Sequence, residues 1–256
     1  GTLTAHQAGT GLIRAMLNTG DYTLVAVHVA DHVEEVRGAK AATCTEDGYS
    51  GDVYCTVCGA LVSAGEVIPA HCASKSFTDV DTNQWYHTYV DYVVDHGIMN
   101  GMGGGRFAPN GNVTRAQLVT TLYRMAGSPQ VEEMSTFADV PANRWYSAAV
   151  AWAQDVGVAV GVTETAFQPN DSTTREQAAT FLYRYVTEYL KQEPTQGADL
   201  SAYQDAASIS PYAEEALAWA TAEGILEGFE DDTLRPRNVL SRAQLAKLMT
   251  IMDQNF

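Results

Sequence analysis

The chain has 256 residues and a formal net charge of −16, from 15 Lys+Arg against 31 Asp+Glu. A chain this acidic lacks the basic face that general nucleic-acid binding needs, and it holds no run of about 18 apolar residues that would insert in a membrane. Its hydrophobic content of 46% with 18% charged residues marks a globular protein rather than a disordered one.

Residues 1–30 are expected to be the remnant of a preceding domain, or a strand pairing with the next segment of the chain. The chain begins at Gly1 without Met or signal peptide, so it reads as a piece of a longer protein. Tyr22–Val29 is dense in β-branched residues and predicts a strand. Gly11–Leu17 is too short for periodicity to choose between strand and helix. His6 and His28 read as surface or packing residues.

Residues 31–76 hold all four cysteines, Cys44, Cys55, Cys58 and Cys72. Cys55-x-x-Cys58-Gly59 is the spacing of a knuckle, in which a tight turn aims two sulfurs at one point. With Cys44 and His71 it predicts one structural Zn in a Cys₃His site, the fourth ligand remaining open among His71, Cys72 and His32. Two disulfides, or free thiols, are the alternatives. Either staple would be structural, because so short a segment buries too little to fold unaided. The run from His32 through Cys44, Gly48-Tyr49 and Cys55-x-x-Cys58-Gly59 to Ile68-Pro69-Ala70-His71 resembles a short repeat of surface proteins in anaerobic Gram-positive bacteria. That resemblance implies a small β-rich, zinc-ribbon-like module.

From Phe77 the chain repeats itself three times, over 77–130, 131–194 and 195–256. Phe77-x-Asp79, Phe137-x-Asp139 and Tyr203-x-Asp205 open the copies. Trp85-Tyr86, Trp145-Tyr146 and Pro211-Tyr212 come second. Next are turns beginning at Gly97, Gly157 and Gly224, then Phe107-Ala108-Pro109, Phe167-Gln168-Pro169 and Leu234-Arg235-Pro236. Apolar stripes such as Tyr86, Tyr89, Val90, Val93 and Val94 predict a helix stopped by Gly97. Each copy is a helix–loop–helix too small to bury a core alone, so three are expected to pack around a common axis. The predicted fold class is mainly α, with three repeats in a pseudo-threefold arrangement and a small β-rich module ahead of them.

The second helix of each copy starts at a capping box, Thr114 with Gln117, Thr174 with Gln177 and Ser241 with Gln244. Arg115, Arg175 and Arg242 fall at the first helical position, where the macrodipole disfavours a cation. A helix N-terminus with an arginine fork beside it suits a carboxylate or phosphate. The arginines are therefore expected to hold an anion without helping the fold, so that Arg115→Ala leaves stability nearly unchanged; pairing of each with a nearby carboxylate of this acidic chain is the alternative.

These motifs, in order and in triplicate over about 180 residues, resemble the S-layer homology (SLH) domain. The resemblance implies a secreted, cell-surface anchor that binds anionic, often pyruvylated, secondary cell-wall polysaccharide in grooves between repeats, as a monomer with an internal pseudo-trimer. By it Arg115, Arg242 and then Arg175 would meet the acidic group, with Gln117 and Gln244 beside them. Trp85, Trp145 and Tyr212 would stack on sugar rings, and Asp79 and Asp139 would accept from hydroxyls. Glu176 departs from the family pattern: an acid there suits the helix dipole, with engagement of Arg175 as the alternative. No nucleophile–base set or framed carboxylate pair points to an enzyme. A protein–protein self-assembly module of a surface layer is the alternative, with any enzyme activity in a missing N-terminal part.

Overall fold

The computed structural model describes residues 9–16, 19–29 and 33–256; His6 and His32 lie outside the described residues. The chain divides into two compact units, one ending at Cys72 and one running from Ala73 to Phe256.

In the first unit β1 (Gly9–Met16) and β2 (Tyr22–Val29) form an antiparallel hairpin. β2 covers the β-branched stretch, and the ambiguous stretch before it is a strand. Five short strands complete the unit: β3 (Glu34–Arg37), β4 (Gly48–Tyr49), β5 (Asp52–Cys55), β6 (Leu61–Ser63) and β7 (Val67–Ile68). β5 pairs with both β3 and β6, and β4 pairs with β7. The β5–β6 turn has knuckle geometry. Gly59, at φ 72°, donates its N–H to the Cys55 carbonyl at 2.9 Å, and the Cys58 N–H points at the Cys55 sulfur at 3.5 Å. The expected Cys₃His zinc site is not assembled, because Cys44 is bonded to Cys72. A disulfide sulfur is not a thiolate, so Cys44 is withdrawn from the expected ligand set while the bridge stands. The staple of this unit is the disulfide, joining residues separated by 28 positions.

The second unit contains α1 (His87–Asp95), α2 (Arg115–Met125), α3 (Ser147–Asp155), α4 (Arg175–Arg184), α5 (Glu214–Ala222) and α6 (Arg242–Asn255). α4 runs on into a π turn over Tyr185–Tyr189. The expectation of a mainly α chain is corrected here. Among the described residues all named strands lie before Cys72 and all α-helices after it, so the chain is mixed, with its α-helices in the repeats. The predicted stripes are the core, with Val90, Val93, Leu118, Leu122, Val150, Leu182, Leu217 and Leu245 all buried. All three capping boxes are formed, each hydroxyl accepting from the glutamine N–H and each glutamine side chain accepting from the cap. Gly97 ends α1 in the left-handed region, at φ 68°, where only glycine is free of Cβ strain. Gly101 answers a second demand. A Cβ there would sit 2.5 Å from the Phe77 ring, so the opening aromatic packs directly on the turn.

The repeats are joined in cyclic order. α2 packs on α3, α4 on α5 and α6 on α1, so each second helix takes the first helix of the following repeat. At the centre, the residues before the three caps close a ring of backbone hydrogen bonds. Val113 N–H donates to Leu240, Leu240 N–H to Thr173 and Thr173 N–H to Val113, at 2.9, 2.9 and 2.8 Å. All three are fully buried. The Thr173 hydroxyl has no hydrogen-bond partner there, whereas its counterparts are apolar. Thr173→Val is therefore expected to stabilise the unit by about 1 kcal/mol. Denaturant midpoints at unchanged slope check this, and a loss of stability would mean the hydroxyl is satisfied.

Candidate ligand grooves

The arginines at the helix starts do not stand clear of the fold. Arg115, Arg175 and Arg242 are only 6, 6 and 5% exposed, and each side chain reaches into the next repeat in the cycle. Arg115 Nε donates to the Phe167 carbonyl at 2.7 Å and its Nη2 to Val160 at 3.4 Å. Arg175 reaches Leu234 and Glu227, each at 2.8 Å. Arg242 reaches Phe107 and Asn100, each at 2.7 Å. The guanidinium of Arg115 also lies over the Phe167 and Phe181 rings, 4.7 and 5.1 Å from their centroids. This overturns the expectation that the arginines leave the fold indifferent. The chemical need is local. Ala108, Gln168 and Arg235 adopt positive φ, and the carbonyl just before each is the one the arginine takes. Burial lowers the basicity of Arg115, and it pushes Arg175 and Arg242 down to about 10. All three stay charged at neutral pH.

The opening aspartates serve the same loop from the other side. Asp79 accepts from the N–H groups of Phe107 and Ala108, both at 2.8 Å. Asp139 accepts from Phe167 and Gln168 at 2.9 and 2.7 Å, and Asp205 repeats the pattern at Leu234 and Arg235. Phe107 is thus gripped at its N–H by its own repeat and at its carbonyl by Arg242 of another. Burial opposes ionisation of Asp79, and the two N–H donors overcome it, holding its carboxyl below the usual range. Glu176 lies in the first turn of α4, where an acid suits the dipole. It is buried, and its carboxylate accepts from the Ser210 N–H, the Ser210 hydroxyl and the Tyr212 hydroxyl, not from Arg175. It anchors the start of the third repeat.

Two of the grooves on this frame have matching linings beside an arginine latch, each drawn from all three repeats. The first, of about 340 Å³, is lined by Arg115, Val160, Gln177, Arg184 and Tyr212 among others. The second, of about 280 Å³, presents Arg242, Asn100, Gln117, Arg124 and Trp145 in the matching places. The capping box uses the glutamine oxygen, which turns the amide nitrogen outward; Gln117 Nε2 meets the Met102 sulfur at 3.5 Å. Tyr212, Trp145 and Trp85 are 55, 62 and 55% exposed, so these rings are rims and not core. Arg175, Gln244 and Trp85 line neither groove and belong to the third position of the cycle.

The sequence reading missed Arg124 and Arg184. Both sit near the ends of second helices, at matching positions of α2 and α4. Burial lowers the basicity of each, yet neither makes a salt bridge among the described residues. The repeated Tyr-Arg pairs Tyr123-Arg124 and Tyr183-Arg184 were the available signal. Each groove therefore has a latched guanidinium at one end and an uncommitted one at the other.

Comparison with known proteins gives this arrangement a family. The sequence profile of the S-layer homology domain matches residues 76–119, 136–179 and 202–246. Relatives include an endoglucanase of Bacillus sp. (strain KSM-635), 30% identical over 69% of this chain and 18% of its own length. A surface-layer 125 kDa protein of Lysinibacillus sphaericus is 29% identical over 77% of this chain and 16% of its own length. An S-layer protein of Bacillus thuringiensis subsp. finitimus is 27% identical over 82% and 25%. The chain thus spans a quarter or less of these relatives.

Proposed function

The chain belongs to the S-layer homology domain family, and on that premise we propose that it is a non-covalent cell-wall anchoring module for an acidic secondary cell-wall polysaccharide carrying pyruvate ketals. The observation that carries this reading is the pairing of cations across each groove, Arg115 with Arg184 and Arg242 with Arg124. A ketal carboxylate docks against the uncommitted guanidinium, where a bidentate, charge-assisted contact is available. The amide nitrogen of Gln177 or Gln117 donates to the sugar. Tyr212 or Trp145 offers a flat apolar face at the rim. Asp79 and Asp139, committed to loop N–H groups, shape the site and do not reach the sugar. The module acts at the cell surface without chemistry of its own, so enzyme activity in proteins that carry such a module resides in their other parts. No helix among the described residues is long and apolar enough to cross a membrane.

The test is co-sedimentation with purified walls before and after removal of the secondary polymer. Sedimentation is expected with intact walls and lost with stripped ones. Concentration-dependent self-pelleting that ignores the polymer would favour the surface-layer self-assembly reading instead.

A further inference from the structure

The third position of the cycle differs chemically from the two grooves and carries its own anion. In cyclic order it is framed by Arg175, by the turn from Glu227 to Phe229 and by α6. Glu227 stands at the turn position held by Asn100 in the first repeat and Val160 in the second. Its carbonyl takes Arg175 Nη2 at 2.8 Å. Its carboxylate accepts from Lys247 Nζ at 2.6 Å. Lys247 replaces Thr120 and Thr180 on the groove side of the second helix, and Ile251 replaces Arg124 and Arg184. The uncommitted guanidinium of the other grooves is therefore missing, and the cation that stands in for it is already neutralised. Phe229 takes the place of Met102 and Val162 and lies between Arg175 and Arg235, 4.9 and 3.9 Å from their guanidinium carbons. Arg235 is in turn paired with Asp231 at 2.9 Å.

We infer that Glu227 closes the third groove to acidic saccharides, so the chain is a two-site anchor whose third site is held shut by one carboxylate. The inference rests on the groove reading of the proposed function. An incoming carboxylate there meets Glu227 as a like charge, and the guanidiniums nearby are the latched Arg175 and Arg235, which is already paired with Asp231. The Glu227–Lys247 pair is itself exposed and weak, so the closure lies in the charge count and not in the strength of the pair. Removing the carboxylate frees Lys247 for the ligand and leaves the Arg175 latch, which uses only the backbone of residue 227.

Calorimetric titration of the full chain with a pyruvylated wall saccharide tests this. Wild type is expected to take two equivalents. Glu227→Asn, which copies the first repeat at Asn100, is expected to take three, the new site roughly ten- to a hundredfold weaker than the others because Ile251 stands where they have a guanidinium. Matching thermal unfolding of the two proteins verifies the fold of the variant. Any wild-type stoichiometry other than two, or two equivalents in Glu227→Asn, overturns the inference while leaving groove binding intact. No binding by either protein overturns the proposed function itself, and the inference with it.

Discussion

Arg115→Ala is expected to destabilise the repeat unit by roughly 3 kcal/mol, within the range for loss of buried, charge-assisted hydrogen bonds. The substitution strands the Phe167 carbonyl, which the Arg115 Nε reaches at 2.7 Å, and vacates the space over the Phe167 and Phe181 rings. It also removes one of three equivalent ties between repeats that do not bury a core singly. Arg115→Lys should recover little, because one ammonium does not reproduce a planar fork that meets two carbonyls. Chemical denaturation measures both. A change below about 0.5 kcal/mol, as for an ordinary surface site, would show the latch to be dispensable.

Opening the Cys44–Cys72 disulfide is expected to unfold the strands around it, at a cost of about 3 kcal/mol from loop-closure entropy for residues 28 apart. The reason is the thinness of the module. β3, β6 and β7 are exposed along their whole lengths, so little apolar burial opposes chain entropy. The Ala70 N–H on Asp47 at 2.7 Å and the His71 N–H on Thr43 at 3.2 Å depend on the bridge next to them. Amide exchange after mild reduction, or in Cys44→Ser with Cys72→Ser, should show lost protection at β4 and β7. The helices of the second unit, which contain no cysteine, should keep theirs. Protection retained at β4 and β7 would contradict the assignment of the disulfide as the staple.

Much of the repeat unit was legible because its signals are local. Caps, stripes and helix-stopping glycines depend on residues within a turn of one another, and all three capping boxes formed as written. The arginines were misread because their partners are carbonyls 45 to 142 residues away. A first-turn arginine with no local acid shows no structural partner in the sequence until the cyclic packing delivers those carbonyls. The loop partners of Asp79 were out of local reach likewise, since they lie 28 and 29 residues on. The cysteines failed for a different reason. The knuckle spacing of Cys55 and Cys58 is a local signal and the turn formed, but which distant sulfur Cys44 would meet is a tertiary fact. Arg124 and Arg184 were visible as a repeated Tyr-Arg pair, yet only the groove distinguishes them from solvent-facing helix ends.

The most direct test of the paired-cation grooves is a titration of wild type and of Arg124→Gln with Arg184→Gln against one wall saccharide, with and without its pyruvate ketal. These two arginines make no salt bridge among the described residues, so the variant should unfold like wild type. The account predicts a loss of roughly 1.5–3 kcal/mol per groove for the pyruvylated ligand, and little difference between the proteins for the ketal-free one. Equal losses for both ligands, or undiminished binding of the pyruvylated saccharide by the variant, would contradict it.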